Sequence, residues 1–513
     1  MKGIYLGSED GRLQSCDELY KNYRAKVGFT LGKRNGTLVY NPREWTEIPI
    51  VKFPGFTLVV SGWFIFKGQL NAVHALADSL LSQGEAALTH IDMGAFLLLW
   101  QHGDEVKFVT DRFGLHPHFI DKASTSLRLA PSVKALFTES HPQDPLLAEV
   151  LAKRQHLFGN FTLYKGIERL EPGAVTTIQH IDELVASNTG VKFYHQFDAA
   201  QVPIEDLHTL VGKIASCWPK SERLAPISAG LDSRFLLAHA EFGNGFTYGP
   251  EGAPERNVGE SFSHLYENYL GYDYLTPTST DLMTSAAEEI CFGQMEPVKR
   301  LIGNYLYIAS QFENAKVFFD GYLGDTLQRG TYINFKGPLG EFFKLFPWIY
   351  RLGFSAAWLL RKRYANLSEA AFELLLADFS ARTRDLPLDD YQKLTWYEFI
   401  YGRGSRYIVG GSNLMVSQLF TSVCFFTHNQ VFDSLITQDF TKAVSYRLLK
   451  PLWQRAPDKF RQTATESGYS PSTPPMFIPV TQLLYRLAFH LMPGRANYGV
   501  ALKRQAKQKG AKN

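Results

Sequence analysis

A chain of 513 residues with 45% apolar and 20% charged side chains is long enough for two or more cores and too apolar for disorder. Its formal net charge of +3 gives no electrostatic case for nucleic acid as a partner. Cys16, Cys217, Cys291 and Cys424 form no CxxC pair, which excludes an obvious zinc site or disulfide framework. No apolar run reaches the roughly 18 residues that a membrane-spanning helix needs.

The first segment, "MKGIYLGSEDGR", has no sustained apolar stretch and turns acidic at once, so no signal peptide is read and a reduced, cytoplasmic protein is expected. Through about residue 200 the pattern predicts strands, tight turns and few helices. "GFTLVVSGWFIF" reads as a buried strand pair around Ser61 and Gly62. "AVHALADSLLSQG" reads as an amphipathic helix closed by glycine, and "GAFLLLWQHGDEVKFVTDRFG" as a hairpin turning at "HGDE". "ERLEPGAVTTI" adds a Pro-Gly turn before another strand.

The character changes near Gln201. Leu207, Leu210, Val211 and Ile214 fall at helical spacing, and a strand–helix alternation follows. It reads as a strand over Leu224 to Ile227, a helix from Ser233, a strand over Gly245 to Tyr248, a helix through "VGESFSHLYENYLG" and a strand in "YDYLTP". Two more helical stretches precede a strand in "AKVFFDG". This alternation predicts an α/β, doubly wound parallel sheet with ligand loops at the strand C-termini. From Leu339 to Leu386 the pattern is helical and aromatic-rich, read as a helical cap or buried bundle because Lys and Arg interrupt it. Residues 491–513, ending in "ALKRQAKQKGAKN", read as a solvated, flexible basic tail, with contact to an acidic surface or membrane as the alternative.

The stretch "PISAGLDSR" admits three readings. Its Ser and Asp can simply cap a helix. It can be half of a hydrolase nucleophile elbow with Ser228 as nucleophile, although Pro226 stands where that motif has glycine. It can be an anion cradle, in which turn N–H groups, a helix N-terminus, Ser228 and Ser233 bind pyrophosphate. Asp232 would be repelled by that anion unless a divalent cation lay between them, so the third reading predicts Mg²⁺. No Walker-type P-loop occurs.

"SAGLDSR" resembles the S-G-G-x-D-S pyrophosphate loop of the N-type ATP pyrophosphatases, in particular the asparagine synthetase family. "DRFGLHPHFI", "LAPSVKALF", "YKGIERLEPGAVTTI" and "VFFDGYLGDTLQRG" resemble further segments of that family in the same order, over roughly residues 50 to 450. The resemblance implies an inactive Ntn-hydrolase-like αββα sandwich over 1–200 and a HUP-type ATP pyrophosphatase domain with a helical C-terminal part over 201–490. It also implies an ATP- and Mg²⁺-dependent ligase that adenylates a carboxylate, releases AMP and pyrophosphate, and passes the acyl group to ammonia or an amine. The carboxylate would belong to a small molecule or peptide, a partner protein is one source of the amine, and a homodimer stays open.

Carried over by motif position, Ile227, Ser228, Gly230, Asp232, Ser233, Tyr248, Asp320 and Gly321 would bind ATP and pyrophosphate, and Asp232 and Asp325 would hold Mg²⁺. Thr326 replaces a family glutamate. Tyr322 stands where relatives resembling β-lactam synthetases carry a tyrosine paired with glutamate, for which Glu398 is the candidate partner; such a pair suits intramolecular amide closure. Arg447, or Lys442, is the expected cation for the adenylate.

The glutaminase half departs from the family. Position 2 is Lys2 rather than the nucleophilic cysteine, and the N-G-E motif appears as Ser61, Gly62 and Trp63. Lysine supplies no thiolate, so no glutamine hydrolysis is expected. Two other classes remain beside the ligase: a non-catalytic family descendant acting as a biosynthetic scaffold, and a serine hydrolase using Ser228.

Overall fold

The structure, a computed structural model, describes residues 1–8, 10–31, 34–124, 126–178, 189–195, 197, 202–335, 338–352 and 354–491. Among the described residues it is a mixed α/β protein built on three sheets. The change of character expected at Gln201 and the basic segment after Leu491 fall outside the described residues.

Two antiparallel sheets come first. One runs from the strand Gly3–Leu6 through Arg34–Tyr40 to Ala25–Leu31 on one side, and to Leu129–Ala130, Phe119–Asp121 and Ile167–Arg169 on the other. The second is centred on the long strands Phe56–Phe66 and Ile91–His102. Ile4, Leu38, Phe29 and Ile120 from the first sheet interleave with Val59, Leu97, Leu99 and Phe108 from the second, so the layers stack face to face around an apolar core. The helix Val73–Gln83 covers the outer face of the second sheet and ends at Gly84, φ +60°.

The hairpin at "HGDE" forms, with His102 opposite Glu105. The strand pair expected in "GFTLVVSGWFIF" does not. Phe56–Phe66 is one continuous strand, because Gly62 takes φ +91° inside it and lets Ala95 of the facing strand approach closely. A Cβ at Gly62 would stand 2.0 Å from the Ala95 carbonyl oxygen.

The third sheet is parallel, in the order Asn268–Tyr272, Asn244–Tyr248, Arg223–Pro226, Val317–Asp320, Thr421–Cys424. From the central strand Arg223–Pro226 the chain first adds two strands on one side, then crosses to the other for Val317–Asp320. That reversal leaves a crevice at the C-terminal ends of these two neighbours, the place where open α/β sheets bind ligands. The helix expected through "VGESFSHLYENYLG" stops at Glu260, and the strand expected at "YDYLTP" lies earlier, at Asn268–Tyr272. Asn268–Tyr272 runs from exposed Asn268 to buried Tyr272 and pairs on one side only, at the sheet's edge.

The antiparallel layers are bolted to the parallel sheet. Lys2 Nζ pairs with Glu44 Oε1 at 2.6 Å, both side chains almost wholly buried, and the Lys2 N–H donates to Gln418 Oε1 at 3.1 Å. Trp63 Nε1 donates to the Ser422 carbonyl on the last parallel strand at 3.1 Å. Removing one partner of a buried pair strands the other charge. Lys2→Met therefore lowers stability by about 3–5 kcal/mol in chemical denaturation, and adding Glu44→Gln restores most of it.

Candidate functional site

Two loops leave the C-terminal ends of the central strands and meet. The first, Ile227 to Gly230, turns from Arg223–Pro226 into the helix Leu231–His239. The Ile227 N–H is used by Phe246 and its carbonyl accepts from the Thr247 hydroxyl at 2.6 Å, so the strand end is rigid. Ser228 Oγ accepts from the Gly230 N–H at 3.1 Å and lies 3.2 Å from Ser233 Oγ. Arg234, wholly buried, folds back on the same turn: Nε donates to the Gly230 carbonyl at 3.0 Å and Nη2 to the Ala229 carbonyl at 2.9 Å. With its carbonyls held from behind, the turn is fixed in one orientation.

The second loop, Gly321 to Leu323, leads into the helix Gly324–Arg329. It sits against the first helix without room for side chains. A Cβ at Gly321 would lie 2.7 Å from the Ser233 nitrogen, and one at Gly324 would lie 2.6 Å from Asp232 Oδ1 and 2.5 Å from the Phe426 ring. Asp232 and Asp325 therefore face each other across this contact, and the Asp325 N–H donates to the Asp232 carboxylate.

Between the loops opens a cleft of about 280 Å³. It is lined by Ile227, Ser228, Gly230, Asp232 and Ser233 from the first loop, and by Asp320, Gly321, Tyr322 and Asp325 from the second, with Tyr248 on the neighbouring strand. Tyr248 is part of an aromatic wall: its ring stacks on Phe246 at 6.3 Å and meets Tyr274 at 5.3 Å. Ten residues expected in one site thus share one cavity.

The electrostatics follow from burial. Asp232 is pushed up to about 6 by desolvation, with Arg329 pulling the other way. Arg329 Nη2 donates to Asp232 Oδ2 at 2.8 Å and Gln328 Nε2 donates to Oδ1 at 3.0 Å. Gln328 Oε1 and Arg329 Nε, beside that carboxylate, are buried without a hydrogen-bond partner. Asp325 Oδ2 accepts from the Thr331 hydroxyl at 2.8 Å. Burial pushes Asp320 up to about 8, although the Tyr322 and Gly321 N–H groups favour its charged form.

Three expected residues lie elsewhere. Glu398 is buried in the helix Asp390–Ile400, where it accepts from Arg363 Nε at 2.9 Å and from the Arg403 N–H at 2.9 Å. The Tyr322 hydroxyl instead meets Ser412 Oγ at 3.0 Å, and burial drives its pKa upward, away from a basic role. The Tyr322–Glu398 pair is not formed, because Arg363 claims the carboxylate. Lys442, exposed on the helix Phe440–Val444, and Arg447, exposed on the turn after it, do not line the cleft. The cation beside the acids is Arg329, four residues after Asp325 on the same short helix. That spacing, in "GDTLQRG", was its signal in the sequence. Arg234, four residues after the Gly230 carbonyl it holds, was readable in the same way.

In the antiparallel half, Ser61, His116 and Cys16 are committed to packing. Ser61 Oγ lies 2.7 Å from His116 Nε2, both buried, and burial pushes the His116 pKa well down. Burial pushes the Cys16 thiol up to about 11.

Among family models and curated proteins, nothing matches this chain. Solved structures with some likeness include the allosteric regulatory enzyme of purine biosynthesis, at 11% identity and TM-score 0.25, covering 44% of this chain and 60% of that one. Another is glutamine phosphoribosylpyrophosphate amidotransferase from B. subtilis complexed with ADP and GMP, at 11% identity and TM-score 0.24, covering 63% and 76%. The chain thus spans less than two thirds of the first. At TM-scores this low, neither likeness bears on the fold or activity of this chain.

The packing at Gly324 predicts that Gly324→Ala destabilises the protein by about 1–3 kcal/mol, read as a fall in the thermal midpoint. Gly11→Ala, where an added Cβ meets nothing within 4 Å, leaves it unchanged. Asp320 supplies a pH signature. Its folded pKa lies above its unfolded value, so its favourable contribution is complete below the unfolded pKa and is lost as pH rises through about 8. Asp320→Asn should therefore flatten the decline of thermal midpoint between about pH 4 and 8, with little change at the acid end.

Proposed function

We propose that the chain is an ATP-dependent, amide-forming ligase of the asparagine synthetase type, with an Ntn-like first half kept for structure and a HUP-type synthetase half. A carboxylate attacks the α-phosphorus of ATP, the bond to pyrophosphate breaks, and ammonia or an amine then displaces AMP to form the amide. The observation that carries this reading is the convergence of Ser228, Asp232, Ser233 and Asp325 on one cleft at the reversal point of a parallel sheet.

The donor set suits the implied ion. Two carboxylates, Asp232 and Asp325, match the one or two that Mg²⁺ takes when phosphates and water complete its shell. Bound there, Mg²⁺ would offset the charge growing on the departing pyrophosphate. The chain's own groups do the rest. Ser228 and Ser233 hydroxyls and the turn N–H groups hold phosphate oxygens, and the carbonyls behind them are kept in place by Arg234. The Tyr248, Phe246 and Tyr274 rings offer aromatic faces against which the base can pack. Lys2, buried against Glu44, supplies no thiolate, so nitrogen reaches the site as free ammonia, an amine on the substrate, or ammonia from a partner protein.

A non-catalytic descendant is the second reading, favoured by the Arg329–Asp232 ion pair, which occupies the first metal carboxylate. Product analysis separates the two. With ATP, Mg²⁺ and a panel of amino, sugar and peptide acids, the ligase yields AMP and pyrophosphate, and Asp232→Asn lowers that yield at least about 100-fold. ADP and phosphate contradict adenylation. Absence of MgATP binding in the wild-type protein supports the descendant.

A further inference from the structure

The helix Ile478–Leu491 presents its apolar side outward. Ile478 is fully buried, and Gln482, also inward, accepts at Oε1 from the Tyr446 hydroxyl at 3.1 Å. That hydroxyl in turn accepts from Lys344 Nζ at 3.0 Å on the adjoining helix Pro338–Leu345. The outward positions are Met476, Phe477, Val480, Leu484 and Leu487, three or four residues apart beyond the first two, which makes one continuous stripe. They are 66, 54, 42, 60 and 50% exposed. The neighbouring helix and the turn Pro347–Leu352 add Phe342, Phe346, Trp348 and Leu352, at 49, 41, 57 and 70% exposure. The Phe342 and Phe346 rings lie 5.0 Å apart. Single exposed apolar residues are ordinary, whereas this many on two packed helices mark an interaction surface.

Charge identifies what covers it. From Ser467 to Asn513 the sequence holds seven Lys and Arg and no Asp or Glu. A second copy of the chain docked on this face would bring two such segments together, like charge against like. An anionic lipid surface is complementary to both features: apolar side chains enter the headgroup boundary and basic ones meet the lipid phosphates. At a rise of about 1.5 Å per residue the described span Ile478–Leu491 falls short of a bilayer's hydrocarbon core, and its apolar stripe suits lying in the interface plane. Trp348 is the side chain that membrane interfaces favour.

We propose that the outward face of Ile478–Leu491 and Pro338–Leu352 docks on an anionic lipid membrane, drawn there by the basic C-terminal sequence. The 513-residue chain is floated with vesicles of phosphatidylcholine alone and with vesicles containing about one-third phosphatidylglycerol. The protein should rise with the anionic vesicles, at least about tenfold less with the neutral ones, and be released as salt is raised. Trp348→Glu with Leu484→Glu should cut the anionic-vesicle fraction about tenfold or more without moving the thermal midpoint, since both positions are exposed. If that midpoint falls, the Gln pair at the same positions carries the readout. No flotation with anionic vesicles at low salt overturns the proposal. So does flotation that these substitutions leave unchanged, including the case where they split a wild-type dimer into monomers.

Discussion

The structure turns on one contact that has no space for a methyl group. Gly321 and Gly324 lie directly on the helix that carries Asp232, and any Cβ there would overlap its backbone or carboxylate. This approach brings Asp325 to Asp232, seats Arg329 and Gln328 on the same carboxylate, and sets the depth of the cleft. The parallel topology supplies the reason for the meeting: the two loops leave neighbouring strands at the sheet's reversal point, so they share one crevice. Arg234 then fixes the first loop from behind by binding two of its carbonyls.

The antiparallel half meets the parallel sheet at its other edge. Trp63, where the resembling family keeps a glutamate, binds the Ser422 carbonyl of the last parallel strand, and Lys2 is spent on a buried ion pair with Glu44. Residue positions that would serve hydrolysis in the resembling family serve attachment here. Burial of Cys16 and His116 fits the same account, since it disfavours the charged forms that nucleophilic chemistry needs.

Much of the cleft was legible because its residues are local. The turn "SAGLDSR" and the loop "DGYLGD" each carry small residues and an acid at a strand end, and such chemistry is visible in a short window. What failed was long-range or two-sided. The Tyr322–Glu398 pairing depended on which cation would claim Glu398, and Arg363 lies 35 residues away from it in sequence. The strand Thr421–Cys424 is buried on both faces and only four residues long, so it has no alternating pattern to announce it. The edge strand Asn268–Tyr272 reads as the end of a helix because Tyr266, Tyr269 and Leu270 fall three and four residues apart, a spacing that so short a strand cannot counter. The unbroken strand Phe56–Phe66 was cut at Gly62, whose role is the close approach of Ala95 rather than a turn.

The central claim, one nucleotide seat made by two loops, is tested most directly by hydrogen exchange with and without MgATP. The account predicts slowed exchange in residues 227–234 and in residues 320–326 together, and loss of both effects in Asp232→Asn. Protection of one segment without the other, or of neither, would contradict it.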